Sequence, residues 1–157
     1  MKKIILTLFV SVCISLFSQT GVCFNYHKNC SVKNSKNDKN WIYDTQSRSG
    51  LFNQGMTSKI RCVIYKGMDY RINVCCDASL GEKLSYKIFD AKSNELLYDN
   101  QTTQNASTFE FQSSTTRQLI IELTVPQGTA QKEKHKPIDA ACVGLLIEHK
   151  VTEKQGF

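Results

Sequence analysis

Proline is scarce, at two residues in a chain of 157. That excludes a proline-rich linker or a fibrous repeat. Histidine occurs three times, as His27, His135 and His149, and none of the three belongs to a motif. A hydrolase needs a nucleophile, a base and a group that orients the base, so few bases means few such sets. No glycine-rich phosphate loop and no G-x-S-x-G elbow is present. Beyond residue 22 no apolar run approaches the roughly 20 residues of a membrane span. The residues point away from an enzyme.

Basic charge is present, but not where a polyanion would need it. The formal net charge is +6. Residues 1–22 carry +2, residues 23–50 carry +3, residues 51–125 are neutral, and residues 126–157 carry +1. A nucleic-acid-binding domain concentrates basic charge on its folded face. Here the stretch that looks folded has none to spare, so no nucleic-acid partner is expected.

The chain begins with an address. Lys2 and Lys3 form a positive start, and Ile4 to Phe17 is apolar apart from Thr7, Ser11 and Ser15. That length suits a signal peptide and is short for a span. Residues 1–22 are therefore read as a signal peptide, cut between 18 and 23. A retained anchor is one alternative. A lipoprotein lipidated at Cys23 or Cys13 is another, although Val22 and Val12 stand where small residues usually do. Export to the periplasm, the cell surface or the medium follows.

Export makes the seven cysteines significant, because disulfides persist in oxidising compartments. Cys13 leaves with the leader. Cys30, Cys62, Cys75, Cys76 and Cys142 are the disulfide candidates, with the connectivity left open. Cys75 and Cys76 are adjacent, so on a strand they face opposite sides. Cys23-x3-His27-x2-Cys30 has ligand types suited to zinc but offers three of them. A Cys23–Cys30 disulfide or no role at all is the expected use, and no metal site is expected.

Residues 23–40 are rich in Asn, Lys and Ser and read as a flexible polar segment. From Leu51 onward the period is 2. Ile60, Cys62 and Ile64 alternate with polar neighbours. Tyr70, Ile72, Val74 and Cys76 do the same after the turn at Lys66–Asp69, so the two runs read as a hairpin. Further strands follow around Leu84–Ile88, Glu95–Tyr98, Phe109–Phe111 and Leu119–Val125. Cys142–Ile147 is almost wholly apolar, which predicts a central strand covered on both faces. Seven to eight antiparallel strands over 41–150, with a tail at 151–157, predict an all-β sandwich. A closed eight-stranded barrel is the runner-up.

Particular strings carry a resemblance. Tyr65-Lys66-Gly67-Met68-Asp69-Tyr70-Arg71-Ile72, Leu96-Leu97-Tyr98-Asp99-Asn100, Phe109-Glu110-Phe111, Leu119-Ile120-Ile121-Glu122 and Cys142-Val143-Gly144-Leu145-Leu146-Ile147 run in that order. With Cys75, they resemble small exported proteins of Bacteroidetes-type bacteria. More distantly, residues 49–150 are similar to bacterial pre-peptidase C-terminal domains. That resemblance implies a jelly-roll sandwich with an accessory, non-catalytic role.

The expected function is a non-catalytic exported module that binds carbohydrate or protein at the cell envelope. A structural or subunit role in an envelope assembly is the alternative, and a small hydrolase a more remote one. Trp41, Tyr43, Tyr98, Asp99 and Asn100 are the candidate binding residues, because aromatics near element ends can stack on a ligand. A Cys/His pair from Cys142 or Cys76 with His149 is the conceivable catalytic set. No cofactor is expected. A structural calcium held by Asp77, Asp90, Asn94, Asp99 and Asn100 is conceivable, although such residues are first of all turn formers.

Overall fold

A computed structural model describes residues 21–31, 40–81, 83–127 and 140–152. The expected leader up to residue 20, residues 128–139 and the last five residues lie outside the described residues.

Nine strands are present among the described residues. They are β1 (Ile42–Tyr43), β2 (Arg48–Asn53), β3 (Thr57–Ile64), β4 (Met68–Cys76), β5 (Ser85–Asp90), β6 (Leu96–Asp99), β7 (Thr108–Ser113), β8 (Arg117–Thr124) and β9 (Ala140–Val151). The first sheet runs β2-β9-β4-β7, with β1 beside β2 on the same edge of β9, and the second runs β3-β8-β5-β6. β2 pairs with β9, β3 with β8, β4 with β7 and β5 with β6, all antiparallel. Outermost strand with outermost, inward to the β5–β6 pair, is the nesting of a jelly roll. The pairs β4–β9 and β5–β8 close each sheet.

The period-2 rows explain why two layers form. Tyr70, Ile72 and Val74 of β4 and Val143, Leu145 and Ile147 of β9 point inward from one sheet, and all are buried. Cys62 and Ile64 of β3, Tyr86 and Ile88 of β5, and Leu119, Ile121 and Leu123 of β8 meet them from the other. Each aliphatic side chain buried in this layer contributes about 1.5–3 kcal/mol. Open sheet edges on either side separate this sandwich from the barrel considered as its alternative.

Two expectations need correction. The hairpin expected from residues 60–64 and 70–76 does not form: β3 pairs with β8 and β4 with β9 and β7. The Tyr65–Gly67 link therefore passes from one sheet to the other. Gly67 takes φ 79° there, and its N–H donates to the Ser113 carbonyl. A turn signal says that two strands are consecutive, not that they are neighbours. The added ninth strand, β1, is two residues long and escaped the period for that reason.

The second correction concerns residues 23–31, expected to be part of a flexible segment. Tyr26–Cys30 forms a short 3-10 turn seated on the outer face of the first sheet. Cys23 is bonded to Cys142 of β9 and Cys30 to Cys75 of β4. The remaining polar residues, 32–39, lie outside the described residues. Cys142 and Cys75 point outward because their neighbours Val143 and Val74 point into the core. Of the disulfide candidates, Cys62 and Cys76 stay as thiols. Burial, with the Asp44 carboxylate adding to it, pushes the Cys62 thiol up to about 12, so it behaves as an inert apolar filler. The Cys76 thiol donates to the Gly81 carbonyl at 2.9 Å.

One residue of β9 makes that seat possible. A Cβ on Gly144 would stand 2.6 Å from Cys30 Sγ and 2.7 Å from the His27 Cα. A glycine inside a strand often marks such a close approach of backbone. So β9 is covered on both faces, by the opposite sheet within and by the disulfide-bonded segment without. Gly144→Ala is expected to cost about 1–3 kcal/mol by overpacking, read from the urea midpoint. Gly50→Ala meets only the Phe52 ring, at 3.2 Å, and is expected to cost less than about 1 kcal/mol. Equal losses for the two would refute the close seat.

Candidate functional site

The structure separates the candidate binding residues into two groups. Tyr98, Asp99 and Asn100 end β6 and start a 3-10 turn, Asn100–Thr103. Tyr98 stacks on Phe109 with ring centroids 3.8 Å apart. Asp99 accepts from the Gln101 N–H at 3.0 Å and pairs with Lys87 at 3.3 Å. Asn100 is wholly buried. Its Oδ1 accepts from the Tyr86 N–H, and its Nδ2 donates to the Leu84 and Ala106 carbonyls. Asn100 therefore fastens the start of β5 to the turn and has nothing left for a ligand, which corrects its place among the binding residues.

Trp41 and Tyr43 lie on the outer face of the first sheet. Trp41 covers a cross-strand ladder of matched charges. The Arg71 guanidinium lies 4.7 Å from the Trp41 ring centroid and Lys150 Nζ 4.9 Å from it. Arg71 is buried and pairs with Glu148 at 2.7 Å and Glu110 at 3.8 Å. Asn73 donates to Glu148 at 2.9 Å and accepts from Thr108 at 2.8 Å. Asp69 takes Lys150 and the Thr152 hydroxyl. Such a network holds a buried charge by answering it on every side.

Tyr43 belongs to a different feature. Its ring stacks on His27 at 5.7 Å, and its hydroxyl lies 3.1 Å from His27 Nε2. Ser49 Oγ lies 2.8 Å from His27 Nδ1 and also accepts from the His27 backbone N–H at 2.8 Å. Ser49 Oγ has a proton to give and a second lone pair to accept with, so the tautomer of neutral His27 sets the direction of both ring contacts. The set resembles a nucleophile and base only superficially. The histidine is oriented by a phenol rather than a carboxylate, and the serine is tied to backbone. It anchors the 3-10 turn to β1 and β2.

Between this turn and β2 lies a cleft of about 520 Å³. Its walls include Val22, Phe24 and His27 on one side and Arg48, Ser49 and Leu51 on the other. Val22 is 89% exposed, Phe24 70% and Leu51 52%. The disulfide from Cys23 to Cys142 runs between them, since Leu51 is the register partner of Cys142. Among the described residues no carboxylate lines the cleft. Exposed apolar side chains gathered around a concavity, on a framework fixed by covalent bonds, are what a partner's side chains can bury against.

This cleft is what the sequence reading missed. Val22-Cys23-Phe24 stood at the supposed cut site, so its two apolar residues were assigned to the leader and the polar segment. The readable signal is an apolar pair flanking a cysteine, Val22-Cys23-Phe24.

Other expected chemistry resolves into structure. Cys142 is bonded to Cys23, which removes it from any pair with His149. Cys76 and Tyr70 end opposite halves of β4, and Tyr70 is the register partner of His149. That puts about 20 Å of strand between Cys76 and His149. The zinc ligands Cys23 and Cys30 are both in disulfides, each with a partner other than the one expected. Asp77 accepts from the Ser79 N–H, and Asp90 from the Lys92 and Ser93 N–H groups, as turn formers do. Among the described residues no group of three or more His, Cys, Asp or Glu side chains gathers to hold a metal.

No protein-family model and no curated protein matches the chain. Among solved structures, a similar one is PliG of Aeromonas hydrophila, a periplasmic lysozyme inhibitor of g-type lysozyme. The two chains are 10% identical, with a TM-score of 0.44, covering 77% of this chain and 93% of that one. No residue role is carried across at that distance.

Asn100→Ala is expected to cost about 2–5 kcal/mol, because it leaves buried backbone groups unpaired. Chemical denaturation measures this, and a loss under about 1 kcal/mol would return Asn100 to the surface. His27 gives a pH dependence. Burial, then Lys28 and Arg48, hold its imidazole below the ordinary value. The unfolded chain then binds the proton more readily than the folded one. This contribution to stability is full above about pH 6.5 and is lost as pH falls toward the lowered folded value. Hydrogen bonds from Ser79 hold Asp77 low, and backbone bonds from Ser93 and Lys92 hold Asp90 low. Their contribution is lost only below about pH 4. The melting temperature should therefore drop between pH 7 and 5.5 in the native chain, and His27→Gln should flatten that step. A step of the same size in the variant would assign it elsewhere.

Proposed function

We propose that this is a non-catalytic exported module that binds another protein through the cleft between the N-terminal 3-10 turn and β2. One observation carries the reading, which takes the leader to be cut before Val22: Val22, Phe24 and Leu51 stay exposed around a concavity whose walls are bonded in place. A chain gains stability by burying such residues, so leaving them out on a fixed frame fits an interface. Two disulfides fit an oxidising compartment, as does the positive, apolar leader. The resemblance to small exported proteins points the same way.

A protein partner is favoured over carbohydrate. The aromatic candidates are occupied by neighbours: Trp41 by Arg71 and Lys150, Tyr43 by His27, and Tyr98 by Phe109. The apolar cleft, by contrast, offers little for sugar hydroxyls to bond.

The test is a photo-crosslinking residue placed at Phe24 or Leu51 in the full chain, in the cells that export it. One discrete adduct is expected from both positions and none from Lys59 on the second sheet. The double variant Val22→Asp/Phe24→Asp should lower affinity for the captured protein at least tenfold, about 1.4 kcal/mol or more. Both residues are exposed, so folding should be unaffected. Adducts as strong from Lys59 as from the cleft would sink the reading.

A further inference from the structure

The cleft lies along one side of an edge strand. Among the described residues, β2 pairs with β9 on one edge and with no strand on the other. Six residues of extended backbone thus present their outer N–H and C=O groups in a row. The cleft at Phe24 and Leu51 opens on the outer face of this strand. A second cleft, of about 110 Å³, opens on its inner face, between β2 and β3. Phe52, Ile60, Leu123 and Leu145 line it.

The other edges differ. β3 carries Lys59 and Arg61, and the Gln46 amide closes its end by bonding both the N–H and the C=O of Val63. β6 is four residues long and its register with β5 shifts at Ile88/Phe89. β7 has a cavity of about 210 Å³ lined by core residues, Ile64 and Leu119 among them, on its inner face. β7 also has a concavity on its outer side, of about 420 Å³, but Asn29, Ser31, Ser107 and Thr108 line it, whereas both concavities of β2 are walled by apolar side chains and Arg48 is its one charged residue.

In an added strand, successive side chains point to opposite faces of the sheet. Backbone bonds then supply affinity and alternate pockets supply selectivity. Arg48 donates to the Thr45 and Ser47 carbonyls and, among the described residues, has no carboxylate. Lys28 is exposed nearby, close enough for both cations to act on His27.

We propose that β2 takes up an extended segment of the partner protein as an added strand of the first sheet. Alternate apolar side chains of that segment enter the outer and inner clefts, and an acidic side chain faces Arg48 and Lys28. This deepens the cleft reading above and rests on it.

The test uses the full chain with both disulfides formed and a phage-displayed library of random ten-residue peptides. Enriched peptides should alternate apolar and polar residues and carry an Asp or Glu toward one end. Methylating every second backbone nitrogen of the best peptide should weaken binding at least tenfold in one alternation and under twofold in the other. Hydrogen exchange should show new protection at the β2 amides that face away from β9. If peptides bind, lose affinity tenfold on Val22→Asp/Phe24→Asp, and tolerate both alternations equally, strand addition is overturned while the cleft remains. If one alternation matters but the double variant binds normally, pairing along β2 occurs without the outer cleft, and both the cleft reading and the proposal built on it are overturned. Enrichment of no peptide overturns the proposal. So does β2 protection that grows with the concentration of the protein alone, since the occupant is then a second copy.

Discussion

A missing side chain on β9 lets the rest of the surface assemble. At Gly144 the central strand of the first sheet presents bare backbone, and the 3-10 turn comes down onto it until His27 and Cys30 touch. Only at that distance can Cys30 reach Cys75 and Cys23 reach Cys142, whose Cα pairs are 5.1 and 5.4 Å apart. Disulfides tolerate little more than that separation. The same approach sets His27 beside Ser49 and Tyr43, which ties the turn to both short strands at the sheet edge. The wall of the cleft is thus a consequence of one residue's size. Any bulk at 144 would act on the disulfides, the histidine and the cleft together.

The covalent ties suit the length of chain they span. The Cys23–Cys142 bridge closes 119 residues and Cys30–Cys75 closes 45. In the chain-entropy account, loops of that length are worth about 4–5 kcal/mol each, and measured values run lower. The 3-10 turn itself is five residues and contributes little core. Without the bridges such a segment would fray, as chain ends do. With them, it holds exposed Val22 and Phe24 in one place. The ordering entropy is then met during folding and oxidation rather than at each binding event.

How much of this could be read beforehand divides along local and non-local lines. The inward rows at Tyr70–Val74 and Leu119–Leu123 were legible because a period of 2 is local. The covering of β9 on both faces was legible in Cys142–Ile147, where polar residues are missing. The sheet to which each strand belongs was not legible, because β3 meets β8 across more than fifty residues of chain. Asn100 reads as a ligand residue because it follows Tyr98 near an element end and carries an oxygen that suits calcium. Its burial depends on Leu84 and Ala106, which the sequence does not place beside it. The pairing of Cys23 with Cys142 was not legible, because the two lie 119 residues apart and nothing local marks them as partners.

Charge also looks different once the fold is known. The +6 of the chain invited a polyanionic partner. On the first sheet, though, Arg71 and Lys150 are used against Glu148, Glu110 and Asp69, under Trp41. Arg48 and Lys28, beside an apolar cleft with no acid among the described residues of its lining, are set apart from that matched ladder. A few unmatched cations at the rim of an apolar concavity steer and orient a partner more than they hold it. The holding would come from burial of Phe24 and Leu51 and from the unpaired edge of β2. Those features coincide at one place on the molecule, and they do so because the turn seated on Gly144 stands beside that edge.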